Sequence, residues 1–225
     1  LRGMAGEIPP EEDPKLAQLL RVIREIREQA DVDGTTEEER RNNRKILLFS
    51  YYEDTIDWIV PYLQEQMAHE DGIEIYDGRI VTVSGRGRGG VSRENAVFGF
   101  APQSSDAPPG RSDDLYDLMV TTDVLAEGQN LQQCRHIVNY DLPWNPMRIE
   151  QRIGRVHRIG QELPVTAYNM VLGGSTEARV MEVIEQKLEQ IFNQLGVDKL
   201  SDVLDSSEIE TDIDRLYAIG ETACT

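Results

Sequence analysis

From Lys45 onward, short apolar runs rich in β-branched residues alternate with amphipathic stretches of helical period. KILLFS (45–50), IVTVS (80–84), DLMVTT (117–122), HIVNYD (136–141) and VTAYNMV (165–171) read as strands. Between them, 55–67 places Ile56, Ile59, Val60 and Leu63 at helical spacing, 92–100 is expected as a helix, and another helix starts at Asn145-Pro146. Strands joined through helices need crossover connections, so the sheet is expected to be parallel and covered by helices on both faces. Ligands of such sheets sit beyond the carboxyl ends of the strands. The loops after Ser50, Ser84, Thr122 and Asp141 are therefore where chemistry is sought.

The flanks are expected to be simpler. Residues 1–13 read as a linker in a piece cut from a longer polypeptide, and 14–30 as an amphipathic helix carrying Leu16, Leu19, Leu20, Ile23 and Ile26. The α/β domain is expected to span 14–196, with 31–44 a solvated connector, a hairpin around Asp77-Gly78 and 101–114 a surface loop. A long helix is expected over 176–195, and 197–225 as a peripheral acidic extension with some helical pattern.

Charge and cysteine content narrow the function classes. The 225 residues carry a formal charge of −18, which argues against a broad basic nucleic-acid surface. The excess is heaviest over 173–225, with 4 basic against 12 acidic residues, whereas Arg148, Arg152, Arg155 and Arg158 against Glu150 form a compact basic reversal able to hold an anion. Only Cys134 and Cys224 occur, without C-x-x-C spacing, so a disulfide framework or structural zinc site is not expected. Apolar runs fall short of the roughly 20 residues that cross a bilayer, and the expectation is a soluble, intracellular protein with no membrane partner.

The basic reversal lies in WNPMRIEQRIGRVHRIGQ (144–161), which follows TTDVLAEGQNL (121–131). On one helix from Asn145, Arg148, Gln151, Arg152, Arg155 and Arg158 fall within an arc of about 120°, with Ile149, Ile153 and Val156 on the other side. Guanidinium groups stay charged and match phosphate oxygens, so such a face suits a phosphoryl group. The plainer alternative is an exposed helix with paired charges, but that leaves Gly154 and Gly160 unexplained unless something approaches them closely.

QRIGRVHRIGQ resembles motif VI of superfamily 2 helicases, in the form carried by Swi/Snf-type translocases and their bacterial and archaeal relatives. DLMVTTDVLAEGQNLQ resembles motif V, VNYDLPWNP the block between them, and KILLFSYYEDT motif IV; order and spacing agree over roughly 14–195. The resemblance implies a RecA-like α/β lobe, the second of two that close over ATP. The first lobe would be the partner that carries the phosphate loop and holds Mg²⁺, since this sequence has no G-x-x-x-x-G-K-[ST]. It further implies catalytic roles for Arg158, as arginine finger, and Arg155, as its neighbour on the phosphates. Glu127, Gly128, Asn130 and Gln151 would line the ATP site. Ser50, Tyr51, Gly85, Thr121 and Thr122 would contact the sugar-phosphate backbone of nucleic acid, with duplex DNA favoured and a cytoplasmic, nucleoid-associated setting.

Two rival readings come from other classes. Gly85, Gly87 and Gly90 spell G-x-G-x-x-G after a strand and before a helix, as in a dinucleotide-binding turn of an oxidoreductase. Alternatively the chain is a non-catalytic interaction module with a helicase-lobe fold. Cys134 is expected in the core, and His69, His136 and His157 show no metal-ligand spacing.

Overall fold

The protein is described here by a computed structural model covering residues 9–85, 90–123, 129–143, 146–156, 164–172 and 179. Its first helix, α1 (Pro14–Asp33), starts where Asp13 accepts from the backbone of Lys15 and Leu16, and buries Leu16, Leu19, Leu20, Ile23 and Ile26 as the periodicity predicts.

The expected connector at 31–44 is instead mostly helical. After Gly34, α2 (Glu37–Arg44) begins with a capping box in which Thr36 and Glu39 satisfy each other's backbone donors. Its first turn is acidic and its last turn carries Arg41 and Arg44, so the charges oppose the helix dipole at each end. A helix built from caps and charge order has no apolar stripe to betray it.

Then follow β1 (Ile46–Phe49), α3 (Glu53–His69), β2 (Ile80–Val83), α4 (Arg93–Phe100), β3 (Leu118–Thr121), β4 (His136–Asn139), α5 (Pro146–Val156) and β5 (Thr166–Asn169). No hairpin forms before β2. A 3-10 turn at Glu74–Tyr76 leads into Gly78, whose φ of +66° favours glycine. The 101–114 loop is a run of bends and turns, as expected.

The described strands form one parallel sheet in the order β2-β3-β1-β4-β5. Alternate strand residues feed two cores. Ile46, Leu48, Leu118, Val120 and Val138 pack with α1 and α3, while Leu47, Phe49, Met119 and Ile137 pack with α4 and Val156 of α5. Helices thus cover both faces, and the RecA-like expectation holds.

At the amino edge of the sheet, Asp117 is fully buried and accepts from Arg44 Nε at 3.0 Å and Arg79 Nε at 2.7 Å, with Lys45 Nζ 3.6 Å away. Burial pushes the Asp117 carboxyl up, but the Arg79 hydrogen bond and the three cations outweigh it and hold the carboxyl below its usual range. Lys45, also fully buried, reaches Asp114 at 2.7 Å.

The chain divides into two compact units. Leu1–Asp141 with Arg152–Met170 holds the sheet; Leu142–Gln151 with Val171–Thr225 is the other. The expected helix over 176–195, apart from Arg179, and the expected extension at 197–225 lie outside the described residues.

Candidate functional site

The order of the sheet fixes where a crevice opens. From β1 the chain crosses to β2, at one edge of the sheet, and returns to β3 beside β1; β4 then lies on the opposite side of β1. The carboxyl ends of β1, β3 and β4 therefore flank the topological switch point, the usual ligand position in open parallel sheets.

Arg152 of α5 belongs to this place. Its Nε donates to Asp123 Oδ1 at 2.8 Å, just past β3, and one guanidinium nitrogen donates to Asn139 Oδ1 at 2.7 Å, at the end of β4. The guanidinium also lies 4.6 Å from the centre of the Phe49 ring, at the end of β1. One side chain thus ties α5 to all three strands. Arg152 is 0% exposed, which corrects the expectation that it joins an open guanidinium face. Asn139 is held in turn by its amide donating to Asn169 Oδ1 on β5 at 2.8 Å.

Arg155 lies one turn further along α5 and is half-buried; its carbonyl accepts from Leu131 N at 3.0 Å, joining the helix to the end of the motif V block. Arg148 and Gln151 are exposed in the other unit. Gly154 is exposed, and among the described residues nothing lies within 4 Å of where its Cβ would stand. The expectation that Gly154 admits a close neighbour gains no support. Arg158, Gly160, Glu127 and Gly128 lie outside the described residues. Asn130 shapes its own turn, its side-chain oxygen accepting from Gln132 N and its carbonyl from the Ser104 hydroxyl.

The residues expected at nucleic acid gather at the same carboxyl edge. Ser50 and Thr122 directly follow β1 and β3, Thr121 ends β3, and Gly85 lies just beyond β2. Their side chains, however, are largely engaged inward. Thr121 is fully buried and its hydroxyl lies 2.9 Å from both the Val83 and Thr122 carbonyls; Ser50 is fully buried and donates to Asp141 Oδ2 at 2.5 Å. Tyr51 and Tyr52 are the exposed members, at 44% and 54%, with rings edge to face at 5.1 Å. Sequence reasoning missed Asp123, Asn139, Asp141 and Lys15 as site residues, although the first three stand inside the quoted motif blocks.

The G-x-G-x-x-G run follows β2, which lies at an edge of the sheet away from the switch point, so the dinucleotide-turn reading lacks its required setting. Among the described residues no group of three or more His, Cys, Asp or Glu could hold a metal ion. A cavity of about 320 Å³ between α3 and β2, lined by Ile56, Val60, Pro61, Ile80 and Thr82, is likewise displaced from the switch point. Among the described residues no helix is long and apolar enough to cross a membrane.

Residues 103–160 match the helicase conserved C-terminal domain family. The chain is 38% identical over 117 residues to the ATP-dependent helicase YqhH of Bacillus subtilis (strain 168), covering 49% of this chain and 21% of that protein. It is 29% identical over 135 residues to the RNA polymerase-associated protein RapA of Pseudomonas savastanoi pv. phaseolicola, covering 60% of this chain and 13% of that protein. The matched stretches thus span about a fifth or less of these relatives. The crystal structure of the C-terminal part of the Fun30 ATPase domain shares the fold, with a TM-score of 0.54 at 18% identity over 97% of this chain and 58% of that one. Family match and relatives point the same way: residues 103–160 match the helicase conserved C-terminal domain, and the chain is similar over part of its length to ATP-dependent helicases of the superfamily 2, Swi/Snf type, with the fold of the Fun30 neighbour in agreement.

Proposed function

We infer that this chain is the second motor lobe of an ATP-dependent DNA translocase, with 14–196 forming the lobe and a first RecA-like lobe as its partner. The observation that supports this most is the anchoring of α5 at the switch point by Arg152, which ties the helix that carries Arg155 to the three strand ends. On this reading Arg158 is the finger that neutralises charge on the γ-phosphoryl group during attack by water, and Arg155 supports it on the phosphates. Glu127, Gly128, Asn130 and Gln151 line the nucleotide side. ATP and Mg²⁺ would be held mainly by the first lobe, so hydrolysis requires closure and is coupled to domain motion.

Ser50, Tyr51, Gly85, Thr121 and Thr122 form the track for the sugar-phosphate backbone. The Thr121 hydroxyl and the Ser50 N–H are engaged inward, so the grip falls to other backbone N–H groups along this edge, which suits movement indifferent to sequence. The working site would be cytoplasmic DNA at the nucleoid.

The test is reconstitution. The chain alone should hydrolyse ATP at no more than background. Joined to a first lobe carrying a phosphate loop, it should show DNA-stimulated turnover that Arg155→Ala or Arg158→Ala lowers by about 10³-fold or more, with DNA binding retained. Steady turnover by the isolated chain, abolished by Arg158→Ala, would refute the two-lobe division. Absence of any turnover in the joined protein would favour an interaction module instead.

A further inference from the structure

Three donors of different kinds converge on one carboxylate just beyond β4. Asp141 Oδ2 accepts from the Ser50 hydroxyl at 2.5 Å and from the Tyr51 backbone N–H at 3.3 Å. The Lys15 ammonium, from the first turn of α1, stands 3.7 Å from Oδ1 and 4.8 Å from the centre of the Tyr140 ring. A hydroxyl, a backbone amide and an ammonium are the groups with which proteins hold the phosphate oxygens of a nucleic-acid strand. The cluster lies close to the surface, with the Lys15 and Asp141 side chains 10% and 15% exposed and Tyr51 open beside them.

Its position sets up a conflict. Ser50 and Tyr51 are the motif IV residues assigned to the sugar-phosphate backbone, yet an anion of the protein itself already sits on both. Fully buried, Ser50 cannot meet a phosphate while Asp141 keeps its hydroxyl. Resting on the nucleic-acid reading above, we propose that the Asp141 carboxylate occupies the seat of a backbone phosphodiester in the free chain and is displaced when DNA binds.

The exchange conserves charge at the seat. A phosphodiester and a carboxylate each carry one negative charge, so Lys15 remains paired, and Asp141 rotates towards water. Binding must first break three contacts, which gives the lobe a threshold. A single stray anion gains little, whereas a strand held at several neighbouring points supplies the phosphate at high local concentration.

The experiment uses the chain itself with a fluorescein-labelled DNA duplex, read by anisotropy at low salt. Asp141→Asn removes the competing charge and keeps the shape. It should tighten binding about fivefold or more, as expected for removing one like charge close to a phosphate, and steepen the dependence of log K on log salt. Ser50→Ala or Lys15→Gln in that background should reverse the gain. Asp141→Asn binding the duplex equally or more weakly, with unchanged thermal unfolding, would overturn the proposal and make Asp141 a brace for the loop.

The Tyr51 amide resonance gives a second measurement independent of fold stability. It should shift when the wild-type chain is titrated with duplex, and when Asp141→Asn is titrated with inorganic phosphate. Duplex binding that leaves Tyr51 unmoved would sink the seat while the nucleic-acid reading survives elsewhere on the chain. A phosphate response without any duplex binding would keep the seat and sink the nucleic-acid reading.

Discussion

Replacing Arg152 with methionine isolates the anchor of α5. Methionine keeps an unbranched apolar stem but removes the charge, the two bonds to Asp123 and Asn139, and the guanidinium over Phe49. Removing one partner of a buried ion pair typically costs about 3–5 kcal/mol, because the other charge is left stranded. Asp123 is 20% exposed and can partly rehydrate, so its share falls at the low end. Asn139 cannot rehydrate. It is fully buried, and an acceptor that loses its donor costs about 1–3 kcal/mol. Since one side chain serves both groups the terms overlap, and a total of about 3 kcal/mol is expected. Urea unfolding followed by circular dichroism should show a lower midpoint at unchanged slope. Arg152→Lys, which keeps charge but loses the planar fork, should cost less. The double variant Arg152→Met/Asp123→Asn should cost less than the sum of the singles, by roughly 1–2 kcal/mol. Arg155→Ala should cost under about 1 kcal/mol, being half-buried. If Arg152→Met and Arg155→Ala cost the same, Arg152 is no anchor and the reason for the pose of α5 must be sought elsewhere.

Two further outcomes follow from burial. His136 is pushed down to about 4, chiefly by desolvation and then by Arg135, so between that value and 6.5 only the unfolded chain takes up its proton. Its contribution to stability is complete above pH 6.5 and is lost as the pH falls towards 4, amounting to about 2–3 kcal/mol; His136→Gln should flatten this limb of the stability curve, and an unchanged slope would refute the assignment. Burial pushes the Cys134 thiol up to about 12, and it is fully enclosed, its Sγ donating to the carbonyls of Lys45 and His136. In a Cys224→Ser background, thiol reagents should label Cys134 only once the chain is denatured, and rapid labelling of the native protein would contradict its place in the core.

The fold was readable where hydrophobic period and strand content coincide. All five strand runs and the α1, α3 and α4 helices fall where the pattern puts them, because a parallel sheet buried on both faces demands continuous apolar strands. α2 escaped because its evidence lies in Thr36, Glu39 and the ordering of its charges. The helical projection of α5 erred differently. It grouped Arg152 with the other arginines, yet Arg152 lies four residues before buried Val156, only about 40° away around the helix. That spacing was a legible warning that the arginine borders the packed side. Its partners were not legible, since Asp123 and Asn139 come from two strand ends that meet only through the sheet order.

A formal charge of −18 is compatible with the proposed grip on nucleic acid. Among the described residues, many cations are already committed. Arg44, Lys45 and Arg79 surround Asp117 at the amino edge, Arg152 engages Asp123 at the switch point, and Lys15 faces Asp141. Desolvating such pairs costs much of what their attraction returns, so their clearer effect is to fix geometry, closing one edge of the sheet and orienting the other. On the proposed reading, what the carboxyl edge offers a strand is chiefly the dipoles of backbone N–H groups at strand ends, the Ser50 and Thr121 hydroxyls being engaged inward. Dipoles hold a phosphate without releasing many counterions, so the lobe should show a shallow salt dependence, and one that steepens on Asp141→Asn because Lys15 is then left to a phosphate. A steep dependence in the wild-type chain would mean that the grip comes from free arginines and that the strand ends contribute only shape.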